Sequence, residues 1–230
     1  MRYADDFVVT ANNKEILEEI TGIISKFLGT RGLELSPEKT FITNIHEGFD
    51  FLGWNFRKYH DKLIIKPSIK SQKNVIKKIG KIMHNSRTVK QEVLICRLNQ
   101  VLKGWCNYHQ SVCAKETFER LNFHIFEMIW KWAKRRHPKK SAQWIKERYW
   151  VRKETRDWIF TDGEKTLIRP TDIPIVRHER LKLDRNPYTN KDYFLNKKEK
   201  RKSAKKRAYK ETAAFKSKLT LIPELRVKNA

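Results

Sequence analysis

Cysteine, acid and long apolar runs are all scarce in this sequence. There are three cysteines in 230 residues, Cys96, Cys106 and Cys113. An odd number, in a chain with no secretory apolar segment, argues against a disulfide framework and for a reducing setting. No apolar run approaches the ~20 residues of a membrane span, so no membrane-spanning segment and a cytoplasmic or organellar setting are expected. Against 26 Asp and Glu stand 51 Lys and Arg, for a formal charge of +25 and a pI near 10.0. An excess of that size repels itself in a compact chain, and a polyanionic partner is the economical explanation. Nucleic acid is the first candidate, an anionic membrane surface the second.

Cys106, His109 and Cys113 lie close enough together to raise the question of zinc. The pattern lacks a C-x-x-C pair and a second ligand cluster. It also sits in apolar sequence of helical period (Val101, Leu102, Trp105, Val112), so buried small side chains are the better reading. No cysteine follows Cys113, and a zinc-type endonuclease module is not expected.

Two of the 26 acids stand side by side at one informative place. Asp5 and Asp6 stand between Tyr3-Ala4 and the run Phe7-Val8-Val9-Thr10, which predicts a strand, a tight turn and a second strand. Two carboxylates at a turn repel unless a cation lies between them. Magnesium suits such a place, because it takes hard oxygen ligands and is often held by one or two carboxylates plus substrate phosphates. The competing reading is a solvated acidic turn, which a bare Asp-Asp pair cannot exclude.

Beyond the turn, Asn12 or Asn13 can cap a helix with Ile16, Leu17, Ile20, Ile23, Ile24, Phe27 and Leu28 on one face, ended by Gly29 and Gly32. A turn at Ser36-Pro37 precedes a short strand from Thr40. FDFLGWNFRK (49–58) alternates like a strand, and KLIIKP (62–67) pairs with it around His60-Asp61. Three apolar stripes of helical period follow. They run through Val75, Ile79 and Met83, through Leu94, Leu98 and Leu102 to a stop near Gly104, and through Phe118 to Trp132 before Pro138. Their polar faces carry Lys73, Lys77, Lys78, Lys81, Lys103, Lys131, Lys134, Arg135 and Arg136, charge of nearly one sign, as a nucleic-acid face requires. A short helix (144–150) and a strand pair (158–160 with 167–168, turning at Asp162-Gly163) come next. Residues 197–210 hold nine Lys and Arg against Glu199. Lys197, Lys198, Arg201, Lys202, Lys205, Lys206 and Arg207 there are expected to bind phosphates from a disordered or weakly helical arm.

Several of these stretches, taken in order, resemble the C-terminal half of a group II intron reverse transcriptase and maturase. Tyr3-Ala4-Asp5-Asp6 is similar to the palm hairpin that bears two catalytic carboxylates. GLELSPEKT (32–40) is similar to the next palm motif, and Phe51-Leu52-Gly53-Trp54 to the hairpin that grips the primer. Leu98-Asn99, Gly104-Trp105 and Asn107-Tyr108-His109-Gln110 resemble the helical, RNA-binding maturase thumb. The resemblance implies an α+β fold: a partial reverse-transcriptase palm (1–66), a helical maturase domain (67–140), a helix-and-hairpin extension (141–195) and a basic flexible tail (196–230). It implies a two-metal magnesium site with Asp5 and Asp6 as ligands, and Lys39 as an acid toward departing pyrophosphate. It also implies intron RNA and a DNA primer strand as partners.

A polymerase palm needs a third carboxylate, supplied in the family from sequence before this hairpin, and fingers as well. The expectation is therefore a portion of a longer or split protein, inactive as an RNA-directed DNA polymerase by itself. A separate N-terminal half would complete it, and Val8, Ile23 and Phe27 would lack part of their core until then. Two alternatives stand beside this: a non-enzymatic RNA-binding splicing cofactor of the same fold, and a DNA-binding protein using its cationic helices.

Overall fold

The computed structural model describes residues 2–153, 156–177, 181, 182 and 184–219. The chain is α+β and divides into two compact units, Met1–Phe49 with Arg57–Lys62, and Asp50–Phe56 with Leu63–Ala230.

In the first unit, β1 (Arg2–Tyr3) and β2 (Asp6–Phe7) pair antiparallel, with Tyr3 opposite Asp6. Ala4 takes φ 49 to close the two-residue turn, a left-handed conformation that costs an alanine about 1 kcal/mol. Strand β2 is two residues long, shorter than the run Phe7–Thr10 suggests. Helix α1 (Lys14–Gly29) begins where Asn13 accepts a hydrogen bond from the Ile16 N–H. Glu15 in its first turn and Lys26 in its last suit the helix dipole. The strand expected from Thr40 does not form. Backbone bonding there belongs to a turn instead: Asn44 Oδ1 accepts from His46 N, and Asn44 O accepts from Glu47 and Gly48. The amide side chain and a nearby glycine at φ 86 favour turn over ladder. No residue of α1 is buried, and Ile23 and Phe27 stay 59% and 55% exposed.

FDFLGWNFRK is not one strand but two, β3 (Phe49–Phe51) and β4 (Trp54–Tyr59), followed by β5 (Lys62–Pro67) in a sheet of order β3-β4-β5. Leu52 and Gly53 at φ 50 and 78 break it, the pair of positive angles that a two-residue hairpin turn of the I′ type requires.

The helices α2 (Ile69–Asn85), α3 (Gln91–His109) and α4 (Lys115–Arg136) follow their apolar stripes. Ser68 caps α2 through the Ser71 N–H. Helix α3 does not stop at Gly104, because Trp105, Cys106 and His109 continue its inward face. The core joins Val75, Ile79, Leu94, Leu98, Leu102, Ile125 and Ile129 to Ile145, Tyr149, Trp150 and Phe160. Helix α5 (Ala142–Tyr149) and the hairpin β6 (Trp150–Lys153) with β7 (Arg156–Phe160) therefore share one core with the three long helices.

The ladder partner of β7 is β6, and the expected pairing with 167–168 survives only at the strand's end, where Leu167 N donates to Phe160 O at 3.0 Å. The expected turn at Asp162-Gly163 does form, closed by the Thr161–Thr166 bridge. The segment beyond it is captured by Asn99, whose Oδ1 accepts from Ile168 N at 2.8 Å while its amide donates to Thr166 O at 2.9 Å. A three-residue turn, Pro170–Asp172, follows. Residues Lys191–Leu219 form one helix, α6, the helical of the two alternatives (disordered or weakly helical) expected for the basic arm within the flexible tail. Its alanine, lysine, arginine and glutamate residues carry high intrinsic helix preference without any apolar stripe. Residues 220–230 of that expected tail lie outside the described residues.

Candidate nucleic-acid interface and palm motifs

Asp5 lies in the two-residue turn and Asp6 begins β2 opposite Tyr3, and both are solvent-exposed. Among the described residues no group of three His, Cys, Asp or Glu side chains gathers to hold a metal. The turn thus supplies two hard-oxygen donors, chemistry that fits magnesium, in a coordination sphere that these side chains alone leave open. Lys39 lies in the same unit, exposed in the turn after Pro37, its N–H donating to Ser36 O at 3.1 Å.

The Phe51-to-Trp54 hairpin belongs to the second unit, where the C-terminal turn of α3 and the first turn of α2 hold it. The Tyr108 hydroxyl donates to Leu52 O at 2.6 Å, and Ser68 N donates to Gly53 O at 2.9 Å. Trp54 stacks on Tyr108, ring centroids 5.0 Å apart. Its indole N–H donates to His109 Nδ1 at 2.9 Å. An indole only donates, so Nδ1 is an acceptor and the imidazole proton resides on Nε2. Nε2 then donates to Ser71 Oγ at 3.1 Å, and Ser71 Oγ also accepts from Trp105 Nε1 at 3.1 Å. Burial holds the His109 pKa down at about 4, so the neutral ring this network needs is the stable one. A side chain at position 53 would press toward Ser71 and Tyr108, which a Cβ would meet at 3.7–4.0 Å. Leu52, a non-glycine residue at φ 50, is strained, and the surrounding bonds keep it so.

The alternation of 49–58 reads as one strand and the resemblance marks Phe51, Leu52, Gly53 and Trp54 as a hairpin, but neither points to the residues that fix it. Ser71 carries no sequence signal. Tyr108 and His109 stand in a motif whose resemblance suggested RNA contact, yet here they face the hairpin. His109 spends both ring nitrogens on Trp54 and Ser71, and burial raises the Cys106 thiol to about 12, so neither is a ready zinc ligand.

The cationic residues fall on four helices. On α2, Lys73, Lys77, Lys78 and Lys81 are all exposed, and the helix contains no acid. Lys103 is exposed on α3. On α4, Lys131, Lys134 and Arg135 are exposed, whereas Arg136 turns back. Its guanidinium donates to Arg87 O and Val89 O at 3.0 and 2.7 Å and lies 4.7 Å from the Trp132 ring centroid. Those contacts tie α4 to the α2–α3 connection. On α6, Lys198, Arg201, Lys202 and Lys206 are exposed, Lys197 and Lys205 lie over Tyr193 and Tyr209, and Arg207 pairs with Glu211 at 3.4 Å. No helix among the described residues is long and apolar enough to cross a membrane.

Residues 72–150 match the family described as group II intron, maturase-specific domain, and residues 1–56 match reverse transcriptase (RNA-dependent DNA polymerase). Maturase-like protein 1 of Euglena gracilis is 29% identical over 107 residues, covering 45% of this chain and 22% of that protein. Maturase-like protein 1 of Euglena longa is 29% identical over 102 residues, covering 43% and 21%. The ribosomal operon-associated A protein of Euglena longa is 30% identical over 113 residues, covering 49% and 21%. The chain spans about a fifth of the length of these relatives.

Proposed function

We propose that this chain, which joins a match to part of a reverse-transcriptase domain with a match to a group II intron maturase-specific domain, binds structured intron RNA through the outward lysines and arginines of α2, α4 and α6 and so assists splicing. The observation that carries this reading is α2, a 17-residue helix of the maturase-specific domain with exposed lysines and no acid to neutralise them. A solvated face normally mixes both signs; a face of one sign concentrates phosphate.

The reverse-transcriptase portion adds a second role to the same reading. Asp5 and Asp6 would hold magnesium, and the bound metal supplies charge stabilisation at phosphorus during nucleotide addition. Lys39 would meet the pyrophosphate, and the Phe51-to-Trp54 hairpin would position a DNA primer strand. The exposed face of α1, with Ile16 at 42%, Ile23 at 59% and Phe27 at 55%, is the surface on which further palm sequence, in the same or a separate polypeptide, would pack. Burying three such side chains would contribute roughly 1.5–3 kcal/mol each.

The test is the affinity for a group II intron RNA measured between 50 and 200 mM salt. A maturase making 6–10 phosphate contacts loses about 10³–10⁵ in affinity over that range. An affinity indifferent to salt would refute the electrostatic reading. Primer extension on an RNA template with magnesium then separates the enzyme from the splicing cofactor. Extension after mixing with a finger-and-palm half assigns a polymerase role, and none assigns RNA binding alone.

A further inference from the structure

We propose that the groove between α2 and the C-terminal half of α4 is a seat for one unpaired nucleobase of the bound RNA, with neighbouring phosphates on its rim. The inference rests on the RNA-binding reading above and names the nucleotide feature that reading leaves open. The groove encloses about 830 Å³, within the range of sites that take small molecules. Its floor is apolar: Met83 and Trp132 are buried and Met128 is half-buried. Its rim is cationic, with Arg87, Lys131 and Arg135 exposed and no acid among the lining residues.

The floor is preformed. The Trp132 indole donates to Ser86 O at 2.7 Å, and Arg136, held by two carbonyls, covers part of its ring. One wall is Gly80, in the interior of α2, where an added Cβ would meet nothing within 4 Å. Glycine is a poor residue for a helix interior, and here no neighbour requires it for close packing. What it does is keep the groove wide. A base offers flat apolar faces with phosphates on either side, and an apolar floor beneath cations matches that order. A membrane surface would need the apolar atoms outermost, and here they lie beneath the charges.

Gly80→Leu fills the groove without touching a charge, and leucine favours the helix more than glycine does, so the fold should hold. The full chain is titrated with two RNA hairpins that differ by one bulged 2-aminopurine. The wild type should bind the bulged hairpin about tenfold more tightly, the order of burying roughly 55 Å² of apolar base surface, and quench its fluorescence at saturation. Gly80→Leu should bind both equally, with the wild-type salt dependence. A wild type that binds both hairpins equally, or an unquenched base at saturation, would overturn the proposal and leave RNA binding standing. So would a Gly80→Leu protein that keeps the preference. Failure of the wild type to bind either hairpin would overturn the RNA-binding reading itself.

Discussion

Replacing His109 with glutamine separates the role of its shape from the role of its proton. The imidazole is 1% exposed, accepts from Trp54 and donates to Ser71, and its pKa in the folded protein is about 4 against 6.5 for a free histidine. Between those values the unfolded chain binds a proton that the folded chain refuses. Stability from this group is therefore complete above pH 6.5 and is lost as pH falls toward 4. A gap of about 2.5 units at 1.36 kcal/mol each amounts to about 3 kcal/mol. Glutamine offers one acceptor and one donor but does not titrate. In thermal unfolding at pH 7 and pH 4, wild type should lose about 6–12 °C more than His109→Gln, at about 2–4 °C per kcal/mol for a chain of this size. His109→Leu should lie about 2–4 kcal/mol below His109→Gln at both values, because it orphans the Trp54 indole and part of the Ser71 bonding. Parallel pH profiles for wild type and His109→Gln would refute the assignment of a buried, neutral imidazole.

Other substitutions discriminate the remaining parts. Arg136→Ala should cost about 1–3 kcal/mol of stability, measured by denaturant unfolding, because it deprives the Arg87 and Val89 carbonyls of their donor. Phe27→Ser on the exposed face of α1 should shift the melt of the chain itself by less than about 0.5 kcal/mol. Restored primer extension with a finger-and-palm half should fail in that variant. Asp5→Asn should abolish such extension while leaving the RNA titration curve in place.

The helical part of the fold was legible because its stripes are long and regular. Val75, Ile79 and Met83, or Phe118, Leu121, Ile125 and Ile129, recur at helical spacing and all are buried. Where tertiary partners decide, the sequence was a weaker guide. The strand expected at Thr40 needed a ladder partner and met turn chemistry at Asn44. The 158–160 segment had two apolar neighbours and pairs mainly with β6, keeping only the Leu167–Phe160 backbone bond on its other side. Helix α6 has composition but no stripe, so periodicity could not reveal it. At the candidate site the excess of positive charge was plain, but its allocation was not. Arg136 reads like Lys134 and Arg135, and only the carbonyls of Arg87 and Val89 distinguish it. The aromatic and histidine motif near residue 108 was visible, whereas its inward aim depended on Ser71, which nothing in the sequence marks.

The central claim is that lysines facing outward from α2, and not the motif residues that face inward, carry RNA affinity. The most direct measurement is the salt dependence of intron RNA binding by wild type and by Lys73→Gln/Lys77→Gln/Lys81→Gln. These three residues lie at four-residue spacing on one exposed face. If each contacts a phosphate, the slope of log affinity against log salt should fall by about 2–3, with the melting temperature unchanged. An unaltered slope with intact folding would contradict the account and move the RNA interface off α2.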